Sequence, residues 1–198
     1  MIWPDGKKCA LAFIDDTDDA VLPDIESIYE ILLANGIRPT KTIWVYPVRD
    51  VGVSAGEDIS TNDEYCNFVK YLQREGCEIA LHSVGSGPFS REEILSGLDL
   101  YRSEMGAYPR IHVNHSYNPD SIYSGNKRFS QPFRAIVKAL YGNYSGFSGD
   151  EFDSPHFWGD AHKKHIKYSR SLEVDVFNLM NVVEFPYIDD QYSEFCNY

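Results

Sequence analysis

Four short apolar runs begin at residues 9, 41, 77 and 110, so they stand 32, 36 and 33 residues apart, with a helical pattern filling each interval. That spacing constrains the fold more than any other feature. Antiparallel strands can be joined by a two-residue turn, whereas parallel strands need a crossover of about a dozen residues or more, usually a helix. The run at 9–14 reads Cys-Ala-Leu-Ala-Phe-Ile, apolar throughout, as in a strand covered on both faces. The run at 41–46 is rich in β-branched and aromatic residues. Between them, 22–35 carries Ile25, Ile28, Ile31 and Leu32 at helical spacing, with Pro23 near the start and Gly36 at the end. The second helix, 62–75, opens on Thr61-x-x-Glu64, a capping-box pattern, and stops at Gly76. The third opens on Ser90-x-x-Glu93 and runs to 104, before Gly106. The expectation is an α/β protein built on a parallel sheet, with residues 1–198 forming a single domain.

Beyond Asn114 the regular alternation loosens. Residues 115–131 and 142–158 are rich in Asn, Ser, Gly, Tyr and Pro, and such long irregular stretches in a compact domain favour functional loops. Short helices are expected at 133–141 and 160–169, and a further strand at 172–179.

Composition narrows the function. Eighteen basic residues against thirty acidic ones give a formal charge of −12, which disfavours a nucleic-acid partner. The longest apolar runs, at about six residues, fall far short of the roughly 20 that span a bilayer. The first residues lack a basic start followed by a long apolar stretch, so no signal peptide is read there. The four cysteines (Cys9, Cys66, Cys77, Cys196) are scattered without a C-x-x-C pair, and reduced thiols in a cytoplasmic protein are expected.

In α/β sheets and barrels the working residues gather where strands end and βα loops begin. Here the first strand ends in Asp15-Asp16, the third in His82-Ser83 and the fourth in His115-Ser116. Carboxylate plus imidazole is the donor set of a catalytic zinc or similar divalent ion that keeps a position open for water. A second carboxylate beside it can take a proton from that water. Asp15 and Asp16 face opposite ways if the strand stays regular, so they divide these roles. The loop from Asn114 through Tyr117 offers amides and an aromatic ring suited to sugar hydroxyls and a pyranose face.

These strand ends resemble the polysaccharide deacetylases of the nodulation-type homology domain, the family-four carbohydrate esterases. Phe13-Ile14-Asp15-Asp16-Thr17 lies in step with the family's T-F-D-D-G motif. The segment from Gly76 through Glu78-Ile79 to His82-Ser83 and Ser86 runs in step with G-H-E-I-G-N-H-T-x-x-H. The family's R-x-P-[FY] motif has no clean match near Pro109-Arg110, so its base-orienting arginine has no assigned counterpart. The resemblance spans about residues 8–115. It implies a distorted (β/α) barrel of seven or eight strands, a form that usually needs about 250 residues, so a shortened or truncated barrel is expected. It also implies Asp15 as catalytic base, Asp16 and His82 as metal ligands, and Ser83 as the hydroxyl supporting that loop. The family's second histidine is replaced by Ser86, and His115 is the candidate to fill its place. His112 lies on the opposite face of the strand from His115.

The function expected is therefore hydrolytic removal of an N- or O-acetyl group from a carbohydrate, with zinc as the cofactor. Two alternatives stay open. A degenerate barrel would bind glycans without catalysis. Asp16-Thr17-Asp18 also resembles the D-x-D opening of haloacid-dehalogenase-type phosphatases, with Asp16 as nucleophile and Mg2+ as cofactor. Asp160, His162 and His165 form a further group, read either as a metal or substrate site or as a helix cap with solvent-facing basic residues.

Overall fold

The computed structural model describes residues 4–9, 11–49, 55–116, 118–123 and 147–170, with scattered positions between 132 and 139. Five strands form one sheet: β1 (Ile14–Asp15), β2 (Thr40–Ile43), β3 (Glu78–His82), β4 (Ile111–Val113) and β5 (Tyr168–Arg170). Their order in the sheet is their order in the chain, and every neighbouring pair is parallel. Helices α1 (Leu22–Ala34), α2 (Asp63–Arg74) and α3 (Arg91–Met105) make the first three crossovers. Helix α4 (Gly159–His165) leads into β5.

The sheet curls into a half-barrel. Four gaps of about 4.8 Å would hold the edge strands of a flat sheet roughly 19 Å apart, farther than two side chains can span. Yet the Arg170 guanidinium at the end of β5 lies 4.0 Å from the Asp16 carboxylate just past β1. The described residues hold five strands, not the seven or eight of the expected barrel. The expected strand at 172–179, most of the expected helix at 133–141, and Cys196 lie outside the described residues.

Strand alternation sorts the sheet into two faces. Ile43, Ile79 and Leu81 are buried with Val69 and Leu72 of α2 and Ile94 and Leu98 of α3 in one core. The alternate set, Thr42, Ala80 and His82, faces the concave side, followed on β2's path by the fully buried Trp44. Helix α3 starts as read from the sequence: Ser90 and Glu93 form a reciprocal capping box, and Gly106 closes the helix in the left-handed region at φ 82°.

Four local expectations are corrected. Helix α2 is capped by Asn62, whose side chain accepts from the Tyr65 N–H, while Thr61 turns its hydroxyl to Asp58. In α1 the buried face is Leu22, Ile25 and Tyr29, and Ile28 and Ile31 are exposed, because a run of isoleucines at spacing three drifts off the face that meets the sheet. The first strand is Ile14–Asp15 rather than 9–14 and lies at the edge of the sheet among the described residues, and Leu11, Phe13 and Cys9 ahead of it are exposed rather than covered. The helix expected over 160–169 ends at His165, and its last residues turn into β5. No helix among the described residues is long and apolar enough to cross a membrane.

Candidate metal centre at the strand ends

His82 is the last residue of β3, and its Nδ1 lies 3.1 Å from the Val113 carbonyl of the adjacent strand. A neutral ring there donates through Nδ1 and turns the Nε2 lone pair toward the rim. The next residue, Ser83, holds φ at +48°, a left-handed conformation that β-carbons disfavour, and this turns the chain sharply away after the histidine. The Ser83 hydroxyl oxygen accepts from the His115 backbone N–H at 3.4 Å, tying the loop after β3 to the loop after β4.

His115 follows β4 and is 1% exposed. Its Nδ1 lies 3.1 Å from the Asn118 side-chain oxygen, which also accepts from the Gly87 N–H. The amide nitrogen of Asn118 donates to the Gly85 carbonyl, so Asn118 is fixed on three sides. Both imidazoles thus have Nδ1 against an oxygen acceptor and Nε2 facing the same carboxylate, Asp18.

The carboxylates come from the turn after β1. Asp18 Oδ1 lies 3.4 Å from His82 Nε2 and 3.3 Å from His115 Nε2, and Asp16 Oδ1 lies 3.0 Å from His82 Nε2. One ligand atom from each of Asp18, His82 and His115 falls within 4.8 Å of the others. His82 Nε2 is buried, and neither of its carboxylate contacts has hydrogen-bond alignment. A cation seated between these atoms would satisfy that lone pair, so the residues fit a metal. Two imidazoles and a carboxylate form a nitrogen-rich set that suits zinc-like ions better than Mg2+.

Electrostatics point the same way. Burial works against ionisation of Asp18, but His115 and His82 outweigh it and hold the carboxyl far below the usual range. The nearby His82 imidazole likewise lowers Asp16. Burial disfavours a charged His82, yet Asp16 and Asp18 overcome it and push its pKa up to about 9. Without a metal, a proton takes the cation's place.

Of the expected ligands, the structure places Asp16 beside His82 and puts His82 and His115 in one converging group, but the carboxylate of that group is Asp18, which the sequence reading used only in the phosphatase alternative. The signal for Asp18 was its position within three residues of three other aspartates, Asp15, Asp16 and Asp19; only the turn's geometry aims it inward. Asp15 sits apart from this group: its Oδ2 accepts from the Tyr29 hydroxyl at 2.9 Å and lies 3.0 Å from the buried Lys41 ammonium. Asn114 is buried and braces its own loop, donating to the Ile122 carbonyl and accepting from the Ile122 N–H. Tyr117 lies outside the described residues. Ser86 is fully buried and is not one of the converging ligands. His112 and His162 pack in a separate buried aromatic cluster with Trp158. Asp160 holds Arg91 of α3 in a two-pronged ion pair, and His165 stacks on Tyr108.

The cleft is lined by Asp16, Asp18, His82, Asn114, Ser116 and Arg170, which places one cation across from the carboxylates. A larger, more open groove between α1 and α2 is lined by acidic and aromatic residues and contains no histidine. The carboxylates and imidazole of the candidate site line the smaller cleft.

No protein-family model matches the chain, and no curated protein matches its sequence. Among solved structures the chain is similar to IcaB from Ammonifex degensii, with 14% identity and a TM-score of 0.38 over 69% of this chain. The match spans 56% of that protein's length.

Proposed function

We propose that this chain is a metal-dependent hydrolase that removes acyl groups from a carbohydrate, in the manner of a polysaccharide deacetylase. The observation that carries the reading is the convergence of His82 Nε2, His115 Nε2 and Asp18 Oδ1 at 3.3–3.4 Å, with each imidazole's Nδ1 against an oxygen acceptor. The resemblance of the Asp15-Asp16 and Glu78-Ile79…His82-Ser83 segments to the deacetylase motifs supports it further, and supplies the substrate class.

Asp18, His82 and His115 would hold the ion, with zinc the best match to the donors. Such an ion supplies Lewis-acid polarisation of an acyl carbonyl and lowers the pKa of water. Asp16 stands 3.0 Å from His82, ionised at neutral pH and half-exposed, and takes the proton from the attacking water. Arg170 lies beside Asp16 and orients it, the role for which the sequence offered no arginine. Asp15 is the other base candidate, but its Oδ2 is engaged by Lys41 and Tyr29. The bond from the acyl carbon to the sugar nitrogen or oxygen breaks, that atom takes up the proton held by Asp16, and the acetyl group leaves as acetate with its second oxygen from water.

The test pairs a calorimetric zinc titration of the metal-stripped protein with measurement of acetate release from N-acetylated and O-acetylated oligosaccharides. One equivalent bound at micromolar affinity or tighter, together with metal-dependent acetate release, is expected. Binding without release from any substrate would leave a glycan-binding protein. Absence of binding by folded protein would overturn the metal centre.

A further inference from the structure

Trp44 follows β2, is fully buried, and touches both histidines of the centre. Its ring lies nearly parallel to the His82 imidazole, 6° between planes and 6.2 Å between centroids. It meets the His115 ring in a T-shaped arrangement, 73° and 5.5 Å. The two imidazoles meet each other at 69° and 5.0 Å, so the three rings form one packed set. All three spacings fall in the range that aromatic pairs favour.

Backbone also closes on the indole. A β-carbon built on Gly56 would come within 2.8 Å of the indole and 2.9 Å of the Thr17 carbonyl. Gly56 holds φ at +150°, where a side chain is strained in any case. Thr17 lies between Asp16 and Asp18, so the Gly56 backbone packs against both the indole and the turn that carries the carboxylates. Its Nε1 is buried without a hydrogen-bond partner among the described residues. A buried donor without a partner is costly, and an apolar core residue would avoid that cost, so the flat face of the ring is what this position uses.

A hydrogen bond at Nδ1 fixes one atom of an imidazole but leaves the ring free to swing about it. A flat surface against the ring removes that freedom. We infer that Trp44 is the positioning residue of this centre, its indole fixing the planes of His82 and His115 so that both Nε2 atoms converge on Asp18 before a metal arrives. The inference rests on the metal-centre reading, and its test separates the two.

The test compares wild type with W44F, which keeps an aromatic ring, and W44L, which removes it. Each metal-stripped protein is titrated with Zn2+ and Co2+, and the visible absorption of bound cobalt reports the ligand geometry. W44F is expected to bind within about threefold of wild type. W44L is expected to lose about 10- to 100-fold in affinity, the range seen when groups that orient metal ligands are removed, and to show a changed cobalt spectrum. A folded W44L with unchanged affinity and spectrum would overturn the inference.

Should wild type itself bind neither ion, the metal-centre reading falls, and Trp44 is decided on the metal-free protein by NMR. Cross-relaxation between the His82 and His115 ring protons is expected in wild type and W44F and lost in W44L. Its persistence in W44L would overturn the positioning role. If W44L does not fold, W44M fills the same volume with a flexible chain and takes its place. Failure of both to fold would assign Trp44 to the core and overturn the inference.

Discussion

His115 Nε2 stands 3.3 Å from Asp18 Oδ1 although 97 positions separate them in the chain (115 − 18). The contact joins the turn after β1 to the loop after β4, strands with two others between them in the sheet, and it exists because the sheet curls.

That contact makes His115 and Asp18 the first residues to test. His115→Ala and Asp18→Ala are each expected to weaken zinc binding by more than the roughly 10- to 100-fold that outer-shell changes cost. His112→Ala, on the other face of β4, is expected to leave binding unchanged. Calorimetry on the three metal-stripped variants checks this, and equal binding by His115→Ala would remove His115 from the centre.

Asn118 holds His115 by its Nδ1 and is itself tied to Gly85 and Gly87. Asn118→Ala is expected to reduce zinc affinity by about 10- to 100-fold with the ligand set intact. The same titration reads it, with circular dichroism confirming the fold.

The two adjacent aspartates separate by variant. Asp16→Asn is expected to lower acetate release by about 100-fold or more, the range for loss of a general base, while zinc still binds. Asp15→Asn takes the counter-charge from the buried Lys41 and is expected to cost roughly 1–3 kcal/mol of stability, below the range for a fully buried pair because Asp15 is about a third exposed. Acetate release and chemical denaturation, measured on both variants, tell the roles apart. Normal turnover by Asp16→Asn would return the base to Asp15.

In the metal-free protein His82 titrates at about 9, above the ordinary histidine value of 6.5. The folded state therefore holds the proton more tightly than the unfolded chain, and the associated stability is fully present below pH 6.5. It is lost as pH rises through 9, and is worth at most about 3 kcal/mol. Denaturation of metal-stripped protein from pH 6 to pH 10 should show that fall, and His82→Ala should abolish it.

Asp120 is fully buried, and burial pushes its carboxyl up from 3.8 to about 7. Its contribution has the same sign as that of His82: present below pH 3.8, lost as pH rises through 7. Asp120→Asn keeps the shape of the neutral acid and cannot ionise. It is expected to match wild type below pH 3.8, to pull ahead as pH rises from there to 7, and to exceed wild type at pH 8 by a few kcal/mol at most. A pH-stability profile identical to wild type would show that Asp120 is not the group responsible.

Much of the architecture was legible in local pattern. The interval between apolar runs required parallel crossovers, and Ser90, Glu93 and Gly106 marked the ends of α3 because capping is decided within a few residues. The burial of α1 was misread because four isoleucines and leucines offer two overlapping stripes, and only contact with the sheet selects one. The strand at 168–170 escaped notice because three residues, Tyr-Ser-Arg, carry no periodicity of their own and pair only when β4 is beside them.

The candidate site divides along the same line. Residue type and strand-end position, both local properties, marked His82, His115 and one of Asp15 and Asp16 as candidate metal ligands, and the resemblance to the deacetylase motifs singled out Asp16. The sequence by itself determined that a parallel α/β sheet would carry carboxylates and imidazoles at one rim. Tertiary structure alone decided that Asp18 joins them, that Asp15 turns to Lys41, and that Arg170 arrives beside Asp16. Those are choices of side-chain direction made by a turn and by the curl of the sheet. Both depend on contacts between segments far apart in the chain, which no local pattern encodes.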